Sequence, residues 1–338
     1  MSVHPFLFPF GDEERWLSFL EHCLLWNVSD LRCARKLLRK RIVPLVRGPE
    51  LAHFLGISPK LVGHMAVEPE KYYRAFSIKK KNGKFREISA PRVFLKTVQR
   101  YILDCILSPI EVHASATGFR RNMSIQVGAG RHVGHRFVWN IDLKDFFPSI
   151  RKAAVRRLFT EIGFPDKSAY FLAGLCCLHD RLPQGAPTSP VISNLVFYEL
   201  DERIFKEAKK VSITYTRYAD DLSFSSGKPI PESFRSAISA VIKSSGFTIH
   251  PDKSRLMGPR CRREITGLTV NEKVSVPRET RRKLRARFHH AALDPAKFVK
   301  DKAVLLGYAA WISQYHPAEG RRFHEIAMTV PSEAESAH

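Results

Sequence analysis

The chain has no run of 18 or more apolar residues, so a membrane-spanning helix is not expected. None of its six cysteines (Cys23, Cys33, Cys105, Cys176, Cys177 and Cys261) forms a C-x-x-C pair, which leaves zinc ribbons without support. Scattered cysteines in a chain of this size read as reduced thiols in a reducing compartment, serving mainly as small apolar residues. A secretory leader is not expected either. The first ten residues are apolar but lack a basic start, carry Pro5 and Pro9, and run straight into Asp12, Glu13 and Glu14. Internal repeats and low-complexity stretches are also missing. Acid is scarce: 33 Asp and Glu face 55 Lys and Arg, a formal net charge of +22.

What is present is a foldable chain. With 44% hydrophobic and 11% aromatic residues it is too apolar for a disordered tail. At roughly 150 residues per domain, its length implies two or three lobes. A large positive excess on a chain with a core points to a polyanionic partner, nucleic acid first and an anionic membrane surface second.

Apolar spacing predicts helix over 12–42 and 49–65, and again over 93–107. Residues 73–89 read as a β-hairpin, because Asn82-Gly83 separates two short strand-like runs and makes a basic tip with Lys79, Lys80, Lys81 and Lys84. Residues 111–136 read as irregular and 137–143 (FVWNIDL) as a buried strand. Helices are expected at 151–162, 166–178, 188–209 and 231–245. Strands are expected at 211–217, 222–226, 247–250, 254–257, 264–270 and 274–276. The last 60 residues read as basic helix. This order fits neither a βαβ array nor evenly spaced short strands. It predicts an α+β core with helical appendages.

The chemistry-bearing residues are acids in a basic chain. Asp220 and Asp221 sit in Tyr218-Ala219-Asp220-Asp221 between two apolar strands, where adjacent carboxylates repel unless a cation draws them together. Asp142 lies inside the strand FVWNIDL between apolar neighbours, where an ionised carboxylate needs a partner. If the two strands run side by side, the three acids can hold a pair of hard divalent cations for an in-line phosphoryl displacement. Taken alone, an Asp-Asp pair reads first as a solvated turn, and Asp142 as a strand-end residue or a helix cap.

The strings NIDLKDFFPSI (140–150), LPQGAPTSPVISNL (182–195), TRYADDLSFS (216–225), GFTIHPDKSRL (246–256) and EITGLTVN (264–271) resemble the successive motifs of reverse transcriptases, bacterial retron-type enzymes above all. YYRAFSIKKKNGKFREISAP (72–91), HASATGFRRNMSI (113–125), PRETRRKLRARFHHA (277–291) and GYAAWISQYHP (307–317) are similar to the same family. The resemblance spans about residues 70–320 in the family's order. It implies a right-hand polymerase whose antiparallel palm sheet carries the catalytic Asp residues. The expected lobes are an N-terminal helical extension with fingers (1–135), a palm (136–275), a basic helical thumb (276–325) and a tail (326–338).

The resemblance further implies that Asp142, Asp220 and Asp221 are catalytic and bind two Mg²⁺. It places Phe147 under the incoming sugar, where it selects dNTPs by excluding a 2′-hydroxyl. It places Gln184 against the incoming nucleotide, Lys80 and Arg86 on the triphosphate, and Lys253 near the pyrophosphate as a general acid. Gly185 is expected to let backbone approach a ligand closely. The family's Asn-Ala-x-x-His element reads Gly128-Ala129-Gly130-Arg131-His132 here, with glycine in place of asparagine. His132 is expected on nucleic acid. On the thumb helix Arg278, Arg281, Arg282 and Arg285 share a face suited to phosphates, while Leu284 and Phe288 share another suited to the core.

The implied function is cDNA synthesis from a cognate structured noncoding RNA. The implied priming group is an RNA 2′-hydroxyl, and the product is a branched, msDNA-like RNA–DNA. The expected setting is the bacterial cytoplasm and anti-phage defence, with a separately encoded effector protein and no membrane. The 338 residues are expected to hold no RNase H-like segment, and no maturase or endonuclease extension is read after residue 320. The alternatives are a non-retron defence enzyme, a group II intron-like enzyme, and a catalytically silent RNA-binding scaffold.

Overall fold

The computed structural model describes residues 13–24, 27–47, 50–79, 83 and 85–332. Four helices open the described chain: α1 (Glu13–Leu24), α2 (Val28–Arg39), α3 (Glu50–Leu55) and α4 (Pro59–Val67). The single helix expected over 12–42 is two, because the Asn27 side chain accepts the Asp30 N–H and starts α2 afresh. These helices are no separate appendage. Trp16, Leu20, Leu37, Leu51 and Met65 are buried in the same core as the central sheet. Against that core the Lys40 ammonium donates to the Ile162 carbonyl at 2.7 Å.

The hairpin follows as β1 (Tyr73–Lys79) and β2 (Phe85–Pro91), antiparallel, with Tyr73 opposite Pro91 and Lys79 opposite Phe85. Next come α5 (Val93–Ile102), α6 (Ile125–Gly130), β3 (Phe137–Lys144), α7 (Phe146–Ser149), α8 (Lys152–Ile162), α9 (Asp166–Cys176), α10 (Ser189–Val196) and α11 (Tyr198–Lys210). The helix expected over 188–209 breaks at Phe197. Its buried ring packs on Phe146 and Phe247, with centroids 5.8 and 4.9 Å away.

The central sheet is built from β3, β4 (Thr214–Tyr218), β5 (Asp221–Ser226), β6 (Thr248–Ile249) and β7 (Arg255–Met257), with α12 (Glu232–Ser244) crossing between β5 and β6. Its order is β4-β5-β3, with β6 and β7 both pairing the far side of β3, and every pairing is antiparallel. Side chains alternate between its faces. Trp139, Ile141, Leu143, Leu222, Phe224 and Tyr215 point into the main core, where Phe224 stacks between Trp139 and Tyr215 at 5.0 Å each. Val138 points the other way, into a second core shared with the C-terminal helices.

The rest comprises a small hairpin, β8 (Glu264–Ile265) with β9 (Leu268–Thr269), then α13 (Arg278–Leu293), α14 (Lys302–Ser313) and α15 (Pro317–Thr329). The strand expected over 264–270 is cut by a turn at Thr266 and Gly267, both at positive φ (47° and 79°). The strand expected at 274–276 shrinks to one bridge between Thr269 and Ser275. The expected tail at 326–338 needs correction as well. Residues 326–329 complete α15, and Ala327 and Val330 are buried in the second core, so the apolar pattern of the helix continues through them. The observed class is α+β with an antiparallel sheet carrying the aspartates, as the sequence predicts.

Candidate active site

The acidic set forms at one end of the exposed half of the sheet. β3 and β5 pair with Asp142 opposite Asp221, so both side chains emerge on the same face. Asp220 occupies the turn between β4 and β5, and its carbonyl accepts the Leu143 N–H at 2.9 Å, which ties that turn to β3. The three acids, read apart in the sequence, therefore lie together. The two register partners come within hydrogen-bonding reach of each other.

Their electrostatics are those of crowded carboxylates. Burial pushes the Asp221 carboxyl up to about 7, and Asp220 and Asp142 add to the rise while Lys253 opposes it. Burial also raises Asp220; Asp142 adds to this, and Lys253 and Arg86 pull it back. Arg86, on β2, is thus close enough for its charge to act on Asp220. Lys253, just after β6, donates to both oxygens of Asp142 at 2.7 Å. The lysine is half-exposed and Asp142 is nearly covered, so one ammonium supplies the positive charge that the carboxylates need. Among the described residues no three His, Cys, Asp or Glu side chains form a ready-made metal cage. Mg²⁺ needs none, since it commonly takes one or two carboxylates and fills its shell with water and phosphate oxygens. The donor set, all hard carboxylate oxygens with a lysine ammonium already drawn to one of them, fits such an ion.

A pH dependence follows. An ordinary aspartate titrates near 3.8 and folded Asp221 near 7. Between those values the folded state holds a proton that the unfolded chain has lost, so stability falls as pH rises through that window and levels above it. Buried His132 acts in the opposite sense. Burial, with His135 and Arg131 nearby, lowers it to about 3, so stability rises as pH climbs from about 3 toward its ordinary 6.5. The comparison that isolates Asp221 is wild type against Asp221→Asn in EDTA. The variant is expected to gain a few degrees in melting temperature relative to wild type between pH 5 and pH 8. A difference that does not change with pH would contradict the raised carboxyl.

Around the acids stand aromatic and backbone surfaces. Phe147 follows β3 on α7 and is partly exposed, its ring 6.2 Å from Phe119, which in turn lies 6.0 Å from Tyr218. The Gln184 carbonyl accepts the Ser89 N–H of β2 at 2.9 Å, so the Gln-Gly loop is hinged on the hairpin. Gly185 has φ +132°, and a Cβ there would stand 2.8 Å from the Ser89 carbonyl oxygen and 2.9 Å from Ile88. The close approach seen at this glycine is to β2. Lys80 lies outside the described residues.

Two groups of expected nucleic-acid contacts are placed differently by the structure. His132 is fully buried, with one ring nitrogen 2.6 Å from the Ser225 hydroxyl and the other 2.7 Å from the Thr216 hydroxyl. It pins the segment after α6 onto β4 and β5 and offers no surface to RNA. Gly128 has a packing reason, because a Cβ there would sit 2.8 Å from the Thr117 hydroxyl and leave no room for asparagine without a shift. Of the four thumb arginines, Arg281 and Arg285 both pair with Glu319 of α15, fastening α13 to α15. Burial works to raise Glu319, but the bonds from Arg285 and Arg281 hold it below the usual carboxylate range. Arg278 and Arg282 remain exposed on α13.

Sequence reasoning missed a buried polar cluster behind the Tyr-Ala-Asp-Asp turn. Arg217 of β4 and Asp201 of α11 form an ion pair with both side chains at 0% exposure, and Asn194 of α10 joins it at 3.1 Å. The signal was available. Arg217 shares the strand parity of Tyr215, so it points into the core, where a lone charge requires a counter-charge.

Over residues 78–289 the chain matches the family model described as reverse transcriptase (RNA-dependent DNA polymerase). It is 33% identical over 320 residues to the Retron Mx65 reverse transcriptase of Myxococcus xanthus, covering 88% of this chain and 75% of that protein. It is 34% identical over 327 residues to the Retron Mx162 reverse transcriptase of the same organism, covering 85% and 67%. To the Retron Ec86 reverse transcriptase of Escherichia coli it is 38% identical over 223 residues, covering 64% and 69%. No helix among the described residues is long and apolar enough to cross a membrane.

Proposed function

The chain belongs to the retron-type reverse transcriptases and is an RNA-directed DNA polymerase of right-hand fold, and from that premise we propose that it copies its own structured noncoding RNA into a branched, msDNA-like RNA–DNA. The observation that carries the reading is the register of Asp142 opposite Asp221 with Asp220 in the adjoining turn, an acidic focus in a chain of net charge +22. Enzymes of this family depend on divalent metal; here we take it to be two Mg²⁺ held by Asp142, Asp220 and Asp221. Such ions, when bound, activate the primer hydroxyl and neutralise charge on the departing pyrophosphate.

The protein's own groups orient the reactants. Arg86, with Lys80, binds the triphosphate of the incoming dNTP, arginine as a planar fork and lysine as a point charge. Gln184 borders the nucleotide, and Phe147 lies under its sugar. Lys253, which lies against Asp142 at the edge of this set, would hand a proton to the departing pyrophosphate. Arg278 and Arg282 contact phosphates of the template duplex, and Arg281 and Arg285 hold their helix in place. We assign 1–135 to the N-terminal helices and fingers, 136–275 to the palm and 276–330 to the thumb. A bacterial cytoplasmic setting, anti-phage defence and a separately encoded effector complete the proposal.

The test is to purify the protein from its native host and sequence the nucleic acid that stays bound. One dominant structured RNA joined to a DNA copy of its own segment is expected, with the joint resistant to alkaline phosphatase and protease but cleaved by a 2′,5′-debranching enzyme. A heterogeneous RNA population without attached DNA would contradict it and favour a general RNA-binding role.

A further inference from the structure

The turn that presents Asp220 is held from two sides. From the neighbouring strand β3 the Leu143 N–H donates to the Asp220 carbonyl. On the core side the Arg217 guanidinium, stacked 4.3 Å from the Phe197 ring, donates to the Ala219 carbonyl at 3.1 Å. Its other donors go to both oxygens of Asp201 and to the Asn194 side-chain oxygen at 3.1 Å. Asn194 in turn donates to the Gly118 carbonyl at 2.9 Å, and Gly118 packs against Ala219 so closely that a Cβ would stand 3.1 Å from the Ala219 nitrogen. Ala219 itself has φ +56°, a left-handed conformation that a residue with a Cβ adopts only under constraint. The next two residues are carboxylates that repel each other and Asp142. Left to itself, the turn would relax its backbone and spread its charges.

We propose that Arg217 is a positioning residue, a buried clamp that holds Ala219 in its left-handed conformation and so aims Asp220 and Asp221 at Asp142, with Asp201 as its counter-charge and Asn194 as its brace. The clamp acts through the backbone and touches no reactant. A fork with several donors is needed, since one group must satisfy Asp201, Asn194 and the Ala219 carbonyl at once. The inference rests on reading the three aspartates as the metal-binding set. It goes further in naming what keeps them converged.

Removing one partner of a buried ion pair strands the other, so the test removes both charges. Arg217→Met with Asp201→Asn leaves the Tyr215 hydroxyl an acceptor at position 201, which it contacts at 2.6 Å in the wild type. The double variant is expected to keep its melting temperature within about 5 °C and its RNA binding. Mn²⁺ binding, followed as loss of the free-ion electron paramagnetic resonance signal, is expected to weaken by about 10-fold, and kcat to fall by about 10–100-fold with little change in KM for dNTP. Adding Ala219→Gly, which accepts positive φ without strain, is expected to restore a large part of both. A folded double variant with wild-type Mn²⁺ binding and kcat overturns the clamp, and so does a failure of Ala219→Gly to restore either. Should the double variant not fold, Arg217→Lys decides with the same readouts, because the three donors of an ammonium leave one nitrogen and cannot span the separate positions that Nε, Nη1 and Nη2 of the guanidinium fill on Asp201, Asn194 and Ala219. Asp221→Asn is run alongside. If it stays active, the metal-site reading fails; if it is inactive while the Arg217 variants behave as wild type, only the clamp fails.

Discussion

Asp142→Asn is expected to lower the kcat of templated DNA synthesis by about 10³-fold or more while the protein stays folded and RNA-bound. The magnitude follows from losing several kcal/mol of transition-state charge stabilisation, at about 1.4 kcal/mol per tenfold. The fold survives for an electrostatic reason. Asp142 is one of the charges that raise Asp221 and Asp220, so its neutralisation relieves repulsion even as it releases Lys253. The melting temperature in EDTA at pH 8 is therefore expected to hold or to rise. Primer extension under single-turnover conditions, with a melting curve and a filter-binding assay on the same preparation, checks all three. A folded variant that extends primers at near wild-type rate would remove Asp142 from the chemistry.

Phe147→Val is expected to raise incorporation of rNTPs relative to dNTPs by about 10²-fold, the scale at which the shape of an apolar wall discriminates substrates. The half-buried ring lies between Phe119 and Phe146 against the main core, five residues after Asp142. Valine keeps an apolar contact with those rings and opens space where a 2′-hydroxyl would lie. The expected pattern is a small loss in kcat/KM for dNTP and a large gain for rNTP, measured on one primed template. An unchanged ratio would assign Phe147 to the core alone.

The acids and the hairpin were legible in the sequence because their signals are local. An Asn-Gly pair, a period of two and an aspartate inside an apolar strand each state their own structure. Antiparallel pairing of 137–143 with 222–226 then brings Asp142 to Asp221 with no further information. The misplacements arose where the deciding partner is far along the chain. His132 looks like a surface histidine until Thr216 and Ser225, 84 and 93 residues later, close over it. Arg281 and Arg285 look like free phosphate ligands until Glu319 arrives 38 and 34 residues on. The helix over 188–209 reads as continuous because its apolar period is unbroken, and the break falls at Phe197, whose ring meets Phe146 and Phe247 from elsewhere in the chain. Gly185 was recognised as a close-approach position, and the backbone of β2 does approach it closely.

The central claim is that these carboxylates converge on a metal pair at the primer end. Its most direct test is a crystal structure of the protein with primed template, an incoming dNTP and Mn²⁺, read by anomalous scattering. Two Mn²⁺ peaks are predicted among the carboxylates of Asp142, Asp220 and Asp221. A complex that holds nucleotide and primer in a reactive arrangement with no Mn²⁺ at these side chains would contradict the account.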